Sequence, residues 1–328
     1  MPWVIRDVIY DVNKAVGKRW QALDPLLPGP ADLPEGCMPP FLAGGRPGRP
    51  DGLAVCHHRH EPADSLAQTW GAATKFVLTM RLRDLETEAD ELLAQWREHL
   101  ADLPEAAGPD TAAIVNWPAR DVAGVLALLR HGLQPMAVIA ARPAGRSVPS
   151  YGAHGARGNH DSHASASGLT VRLAGPDDLD VVAEMEMGVI TYDARFAGSI
   201  PRPVTAALVQ AETRAALTRP WAWLAERDGR AVGLVHVEPP QSARWIAGMT
   251  RPGTTGYLQT MYLQPQDRGG GTGAALVSQV HDVLDARGID VTLLHYAQVN
   301  PLSAPFWHRM GYRPLWTIWE ARPATTLR

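Results

Sequence analysis

The chain predicts an α/β (α+β) protein in which one unit of strands and helices is built twice. Three observations carry this. The C-terminal half reads in order as strand, helices, hairpin, strand, helix, strand, helix, strand. Its glycine cluster, Arg268-Gly269-Gly270-Gly271-Thr272-Gly273, stands between a strand-like run and a helix-like run. Short blocks of the same half recur in the N-terminal half, across a stretch rich in Gly, Ser and Ala.

The elements follow from local pattern. Leu169-Thr170-Val171-Arg172-Leu173 reads as a strand, and Asp177 and Asp178 precede a helix with Val181, Val182, Met185 and Val189 on its apolar face. Trp221 to Glu226 and Ala231 to Val237 flank Asp228-Gly229, a hairpin signal. Residues 239–256 read as a loop, Tyr257 to Leu263 as a strand, and Pro265 as its breaker. Ala274, Ala275, Leu276, Val277, Val280, Val283 and Leu284 form a helical stripe after the glycines. Val291 to Tyr296 reads as the next strand, followed by Asn300-Pro301-Leu302-Ser303-Ala304-Pro305-Phe306-Trp307 and closed by Gly311-Tyr312.

In the first half, Leu78-Thr79-Met80-Arg81-Leu82 parallels Gln259-Thr260-Met261-Tyr262-Leu263. Leu128 to Pro135 parallels Trp307 to Pro314, and both halves finish Ala-Arg-Pro, at Ala141–Pro143 and Ala321–Pro323. Asp121 precedes Gly132 as Asn300 precedes Gly311. The halves therefore read as tandem copies, against the alternative that short matches recur by chance in an Ala/Leu/Arg-rich chain. Leu82 to Glu88 takes the place of the glycine loop in the first copy, and its acidic side chains would repel an anion. Leu85, Ala89, Leu92, Leu93, Trp96 and Leu100 still form one helix face there. The boundaries expected are 1–143 for the first domain, 144–168 for a flexible linker and 169–328 for the second.

Composition bounds the function. With 328 residues the chain can bury two cores, and its net charge of -3 and lack of a long basic stripe argue against nucleic acid. No apolar run approaches a membrane span, so no membrane partner and a cytoplasmic location are expected. Two cysteines, Cys37 and Cys56, indicate no disulfide framework. His154, His160, Asp161 and His163 fall in the linker, and Cys56-His57-His58-Arg59-His60 alternates faces as a strand would. Neither has zinc spacing, and no metal is expected.

A glycine cluster between strand and helix directs unpaired backbone N–H groups and the positive end of the helix dipole at one point, which suits a phosphate. A merely flexible, glycine-rich turn is the alternative. The nucleotide-triphosphate loop is excluded because Ala274 and Ala275 stand where Lys-Ser or Lys-Thr is needed. The dinucleotide fingerprint is excluded by spacing and by position late in the chain.

With Leu263-Gln264-Pro265 before it, and the Asn300 to Tyr312 block after it, the loop resembles the acyl-CoA site of the GNAT superfamily of N-acetyltransferases. The resemblance carries Arg268, Gly271 and Gly273 onto the family's defining loop positions. It implies that each domain has a mixed, mainly antiparallel central sheet, with the fourth and fifth strands splayed in the second domain. It implies acetyl-CoA as cosubstrate, held by Arg268, Gly269, Gly270, Gly271, Thr272 and Gly273. The backbone of Met261, Tyr262 and Leu263, together with Asn300 and Ser303, would flank the pantetheine arm, although Ser303 is equally a helix cap.

Acid and base depart from the family's pattern: Tyr257 stands near its usual glutamate, and Trp307 stands at its usual tyrosine. His295, Glu238 and Tyr257 remain as candidates, beside the possibility that no side chain is a dedicated acid or base. Trp221, Trp223, Trp245 and Trp307 are candidates for an apolar acceptor pocket. The expected function is transfer of an acetyl group to a primary amine of a small molecule, with the first copy degenerate. A silent acyl-CoA-binding scaffold and a mycothiol-synthase-like enzyme stay open, as do the amine, the acyl length and the oligomeric state.

Overall fold

The computed structural model describes residues 2–30, 41–46, 49–83, 85–146 and 168–328. The chain forms two compact units: unit 1 is Met1–Ile139, Met249–Arg251 and Pro314–Arg328, and unit 2 is Ala140–Gly248 and Pro252–Arg313. These units cut across the halves expected from the sequence at three places. Residues 140–143 count with unit 2, whereas Met249–Arg251 and the last strand of the chain count with unit 1. The linker expected at 144–168, with His154, His160, Asp161 and His163, lies outside the described residues except for 144–146 and 168, as does Cys37.

Unit 1 contains α1 (Pro2–Leu23), β1 (Phe41–Arg46), β2 (Arg49–His60), β3 (Thr74–Leu82), α2 (Leu85–Ala101), β4 (Thr111–Pro118), α3 (Val125–Arg130) and β5 (Gln134–Pro143) up to Ile139. Unit 2 contains β6 (Leu169–Leu173), α4 (Leu179–Asp193), α5 (Thr205–Ala216), β7 (Ala222–Arg227), β8 (Arg230–Glu238), α6 (Arg244–Ala247), β9 (Thr255–Leu263), α7 (Thr272–Ala286), β10 (Val291–Ala297) and α8 (Ser303–Arg309). β11 (Arg313–Ala321) belongs almost wholly to unit 1. The loop read at 239–256 thus holds the single helical turn α6.

Within each unit the strand pairing is mixed and mainly antiparallel. In unit 1, strands β1-β2-β3-β4-β11 lie side by side, with β3 and β4 parallel and β11 antiparallel to β4. In unit 2, strands β10-β9-β8-β7-β6 lie side by side, with only β9 and β10 parallel. The β7–β8 hairpin turns on Asp228 and Gly229, both at positive φ, as the dipeptide requires.

The cores form where the periodicities place them. Leu92, Leu93, Trp96 and Leu100 of α2 are buried with Phe76, Leu78 and Val115 of the unit 1 sheet. Leu276, Val277, Val280 and Leu284 of α7 are all fully buried, each stabilising unit 2 by about 1.5–3 kcal/mol relative to exposure. On α4, Val182 and Met185 join Leu224 and Leu234 of the sheet. Val181 and Val189, read from the sequence as core, are only partly buried, and Glu186 is buried instead. Among the described residues no helix is long and apolar enough to cross a membrane.

Candidate active site

The site is opened by a strand pair that stops short. β9 and β10 pair only at Thr255, Gly256 and Tyr257, opposite Val291, Thr292 and Leu293. β9 then runs on to Leu263 bonded to β8 alone, and β10 runs on to Ala297. One backbone edge of β9, including Met261, Tyr262 and Leu263, is thereby released from its parallel neighbour. A register shift opposite His236/Val237 leaves Gln259 as an extra residue between Leu258 and Thr260. Such a bulge bends and twists a strand locally.

The released edge leads to the glycine loop. Gly271 caps α7 in the left-handed region, at φ 83, and a β-carbon on it would meet nothing within 4 Å. The cap carbonyl, Gly271 O, accepts from Ala275 N at 3.0 Å. The amides of the first turn before Ala275 have no partner within the helix. Gly273 is needed for a different reason: a β-carbon there would stand 2.9 Å from Met261 Cε and 3.0 Å from Leu263 Cδ1. Its glycine lets α7 pack on β9.

Arginines fix the loop. Arg227 donates to Asp267 Oδ1 and to Thr272 Oγ1, both at 3.0 Å, and Arg230 donates to Asp267 Oδ2 at 3.0 Å. Arg268 donates through Nε to Leu263 O at 3.1 Å, and its guanidinium lies over the rings of Tyr192 and Tyr262. Tyr262 packs over Gly188 of α4, where a β-carbon would be 2.6 Å from its ring. Asn300 is buried, donates to Asp193 Oδ1 at 3.3 Å and accepts from Leu302 N at 3.0 Å. Ser303 is the first residue of α8 and Leu302 is its cap, so Ser303 does not cap the helix.

The other face of the opening is acidic. A cavity of about 240 Å³ is lined by Glu186, Glu212, Thr213, Arg219, Trp221, His236, Glu238 and Gln259, among others. Thr213 Oγ1 donates to Glu186 Oε2 at 2.6 Å, and Glu186 Oε1 lies 2.8 Å from His236 Nδ1. Burial raises the Glu238 carboxyl above the ordinary range, against the Trp245 indole N–H bonded to it and the His236 charge. Desolvation, then repulsion from Glu186 and Glu238, does the same to Glu212.

The structure brings the three sequence candidates together. Glu238 is the cross-strand partner of Tyr257, whose hydroxyl lies 3.1 Å from His295 Nδ1. Trp245 touches all three: it bonds Glu238, meets Tyr257 edge-on and stacks on His295. Burial pushes His295 down to about 4, so it is neutral at pH 7. Burial raises the Tyr257 phenol, with Glu238 and Asp193 adding to the shift. Of the tryptophans, Trp221 lines the cavity and Trp245 is 61% exposed beside it, whereas Trp223 and Trp307 are buried.

Sequence reasoning missed Glu186, Thr213, Glu212, His236 and the bulged Gln259. An ionisable residue at position 186, inside an apolar helical stripe, was the available signal.

Residues 195–312 match the Acetyltransferase (GNAT) family. A GCN5-related N-acetyltransferase of Sphaerobacter thermophilus superposes with a TM-score of 0.51 at 16% identity, over 84% of this chain and 78% of that one. An acetyltransferase from the GNAT family of Colwellia psychrerythraea gives 0.47 at 10% identity, over 94% of this chain and 95% of that one. A tandem GNAT protein from the clavulanic acid biosynthesis pathway gives 0.43 at 14% identity, over 95% of each chain. No curated protein matches the chain. The family match spans the released strand, the glycine loop and the Asn300 to Tyr312 block, and the chain carries a GNAT-family acetyltransferase domain at residues 195–312.

Proposed function

We propose that unit 2 transfers an acetyl group from acetyl-CoA to a primary amine of a small molecule, and that residues 1–143 are a degenerate, non-catalytic copy of the same unit. The observation that carries the reading is the parting of β9 from β10 after Tyr257, with the opened edge leading to the α7 N-terminus. The open space before Gly269 and Gly271 fits a pyrophosphate, which the first-turn amides, the helix dipole and Arg268 would hold. The edge at Met261, Tyr262 and Leu263 would take the arm and donate to the acyl oxygen, with Asn300 and Ser303 on the α8 side.

Acetyl-CoA supplies the thioester; the chain positions it, stabilises charge on the oxygen and manages the amine's proton. Glu212 and Glu238 attract a cation into the cavity, and an ammonium there would relieve their mutual repulsion. At about 240 Å³ the cavity suits a small acceptor; ligand pockets run to roughly 300–1,000 Å³. Glu238, Tyr257 and His295 form the acceptor end around Trp245.

Calorimetry with acetyl-CoA on the full chain tests the reading. Gly271→Asp should weaken binding by about 10²-fold or more, with the circular dichroism spectrum unchanged. Unaltered affinity in a folded variant would overturn the assignment of the loop. Thiol release across a panel of primary amines then separates an enzyme from a silent acyl-CoA binder.

A further inference from the structure

We infer that His236 takes the acceptor's proton and that Glu186 and Thr213 hold it in position to do so. The inference rests on the acetyltransferase reading of unit 2. Three elements converge: Thr213 from α5, Glu186 from α4 and His236 from β8. Both carboxylate oxygens of Glu186 are engaged, one by the Thr213 hydroxyl at 2.6 Å and one by His236 Nδ1 at 2.8 Å. A carboxylate on Nδ1 selects the Nδ1–H tautomer and leaves the Nε2 lone pair free to act.

The ring is 10% exposed and lines the cavity, so Nε2 is the nitrogen left for it. Its height is also right. His236 pairs with Thr260, next to the bulged Gln259 and past Tyr257, where β9 has already parted from β10. His295 has the opposite arrangement. Its Nδ1 meets the Tyr257 hydroxyl and its ring lies against Trp245.

Around His236 the charged groups are Glu186 from α4, Glu212 from α5, Arg219 beyond α5 and Glu238 at the end of β8. An ammonium entering there gives one proton to Nε2. The freed lone pair forms the C–N bond to the acyl carbon and the C–S bond breaks. The second nitrogen proton passes to the departing sulfur, giving the thiol, and His236 returns its proton to solvent.

NMR of the full chain labelled with [15N]histidine tests the tautomer directly. Nε2 should be bare and Nδ1 protonated in neutral His236, and Glu186→Met should remove that preference. His236→Asn keeps a side-chain N–H toward Glu186 while removing Nε2. It should lower turnover by about 10²–10³-fold with the best amine of the panel, and leave acetyl-CoA affinity within about twofold. An Nε2–H tautomer in the native protein, or near-native turnover of a folded His236→Asn variant, would overturn the inference. If the panel yields no acceptor, the tautomer decides. Failure of the wild-type chain to bind acetyl-CoA would instead sink the acetyltransferase reading.

Discussion

The two units contain the same strand–helix step, finished in opposite ways. In unit 1, β3 ends at Leu82 and α2 begins at Leu85; in unit 2, β9 ends at Leu263 and α7 begins only at Thr272. Each step has an arginine on the last strand carbonyl: Arg19 donates to Leu82 O at 2.7 Å and Arg268 to Leu263 O at 3.1 Å. Arg19 also reaches Asp121, at 3.2 Å, and so ties the end of β3 to the turn after β4. Arg268 instead turns its guanidinium to Tyr192 and Tyr262. At the helix start, Glu88 is buried and its Oε2 accepts from Arg83 N at 3.2 Å. The fourth residue of α7 is Ala275. Unit 1 thus turns a carboxylate of its own onto this step, at the position where unit 2 has Ala275. The side chains of Asp84 and Glu86, also read as repelling an anion, lie outside the described residues. The contrast teaches that one strand–helix step can turn a carboxylate back onto its own backbone or end in a glycine turn.

The sharpest way to break the comparison is to move the carboxylate. Ala275→Glu places an acid at an exposed position corresponding to Glu88. It should cost unit 2 about 10²-fold in acetyl-CoA affinity while leaving the melting temperature nearly unchanged. Calorimetry that finds full affinity would mean the amides are not the anion site.

Acid should distinguish the units next. Among the described residues, the histidines pushed down by burial are His281, to about 3, and His295, to about 4, and both belong to unit 2. For His281 the Arg142 charge adds to burial. Their folded values lie below the unfolded value of 6.5, so folding excludes protons in that window. Their contribution is complete above about pH 6.5 and is lost as pH falls toward the folded values, with about 2 kcal/mol per group gone by pH 5. Urea titrations at pH 7.5 and 5 should show this drop, and His281→Gln should shrink it. Equal drops in wild type and variant would remove His281 as the cause.

The smallest effect concerns the tie in unit 1. Arg19→Met strands Asp121, whose carboxyl burial already raises against the opposing Arg19 charge. A loss of roughly 1–3 kcal/mol is expected, partly recovered by adding Asp121→Asn. Acetyl-CoA affinity should not move; a gain in bound stoichiometry would show that the tie alone had closed a second site.

Much of this was legible in the chain because it is local. The Asp228-Gly229 turn, the helical stripes of α2 and α7 and the left-handed Gly271 each depend on neighbours a few residues away. The position of the glycine loop ahead of α7 was legible for the same reason. The acidic cavity was not, since Glu186, Thr213 and His236 come from separate helices and a strand, and no spacing in the chain announces their meeting. Nor did the repeated Ala-Arg-Pro endings tell where they would lie. Arg142, from the first half, makes a bidentate pair with Asp285 of α7 at 2.9 Å within unit 2, while β11, from the second half, pairs with β4 in unit 1. Period and turn chemistry act over one or two turns of chain, so they specify elements. Which strand completes which unit, and which side chains share a cavity, depends on contacts between distant segments and is set when the cores pack.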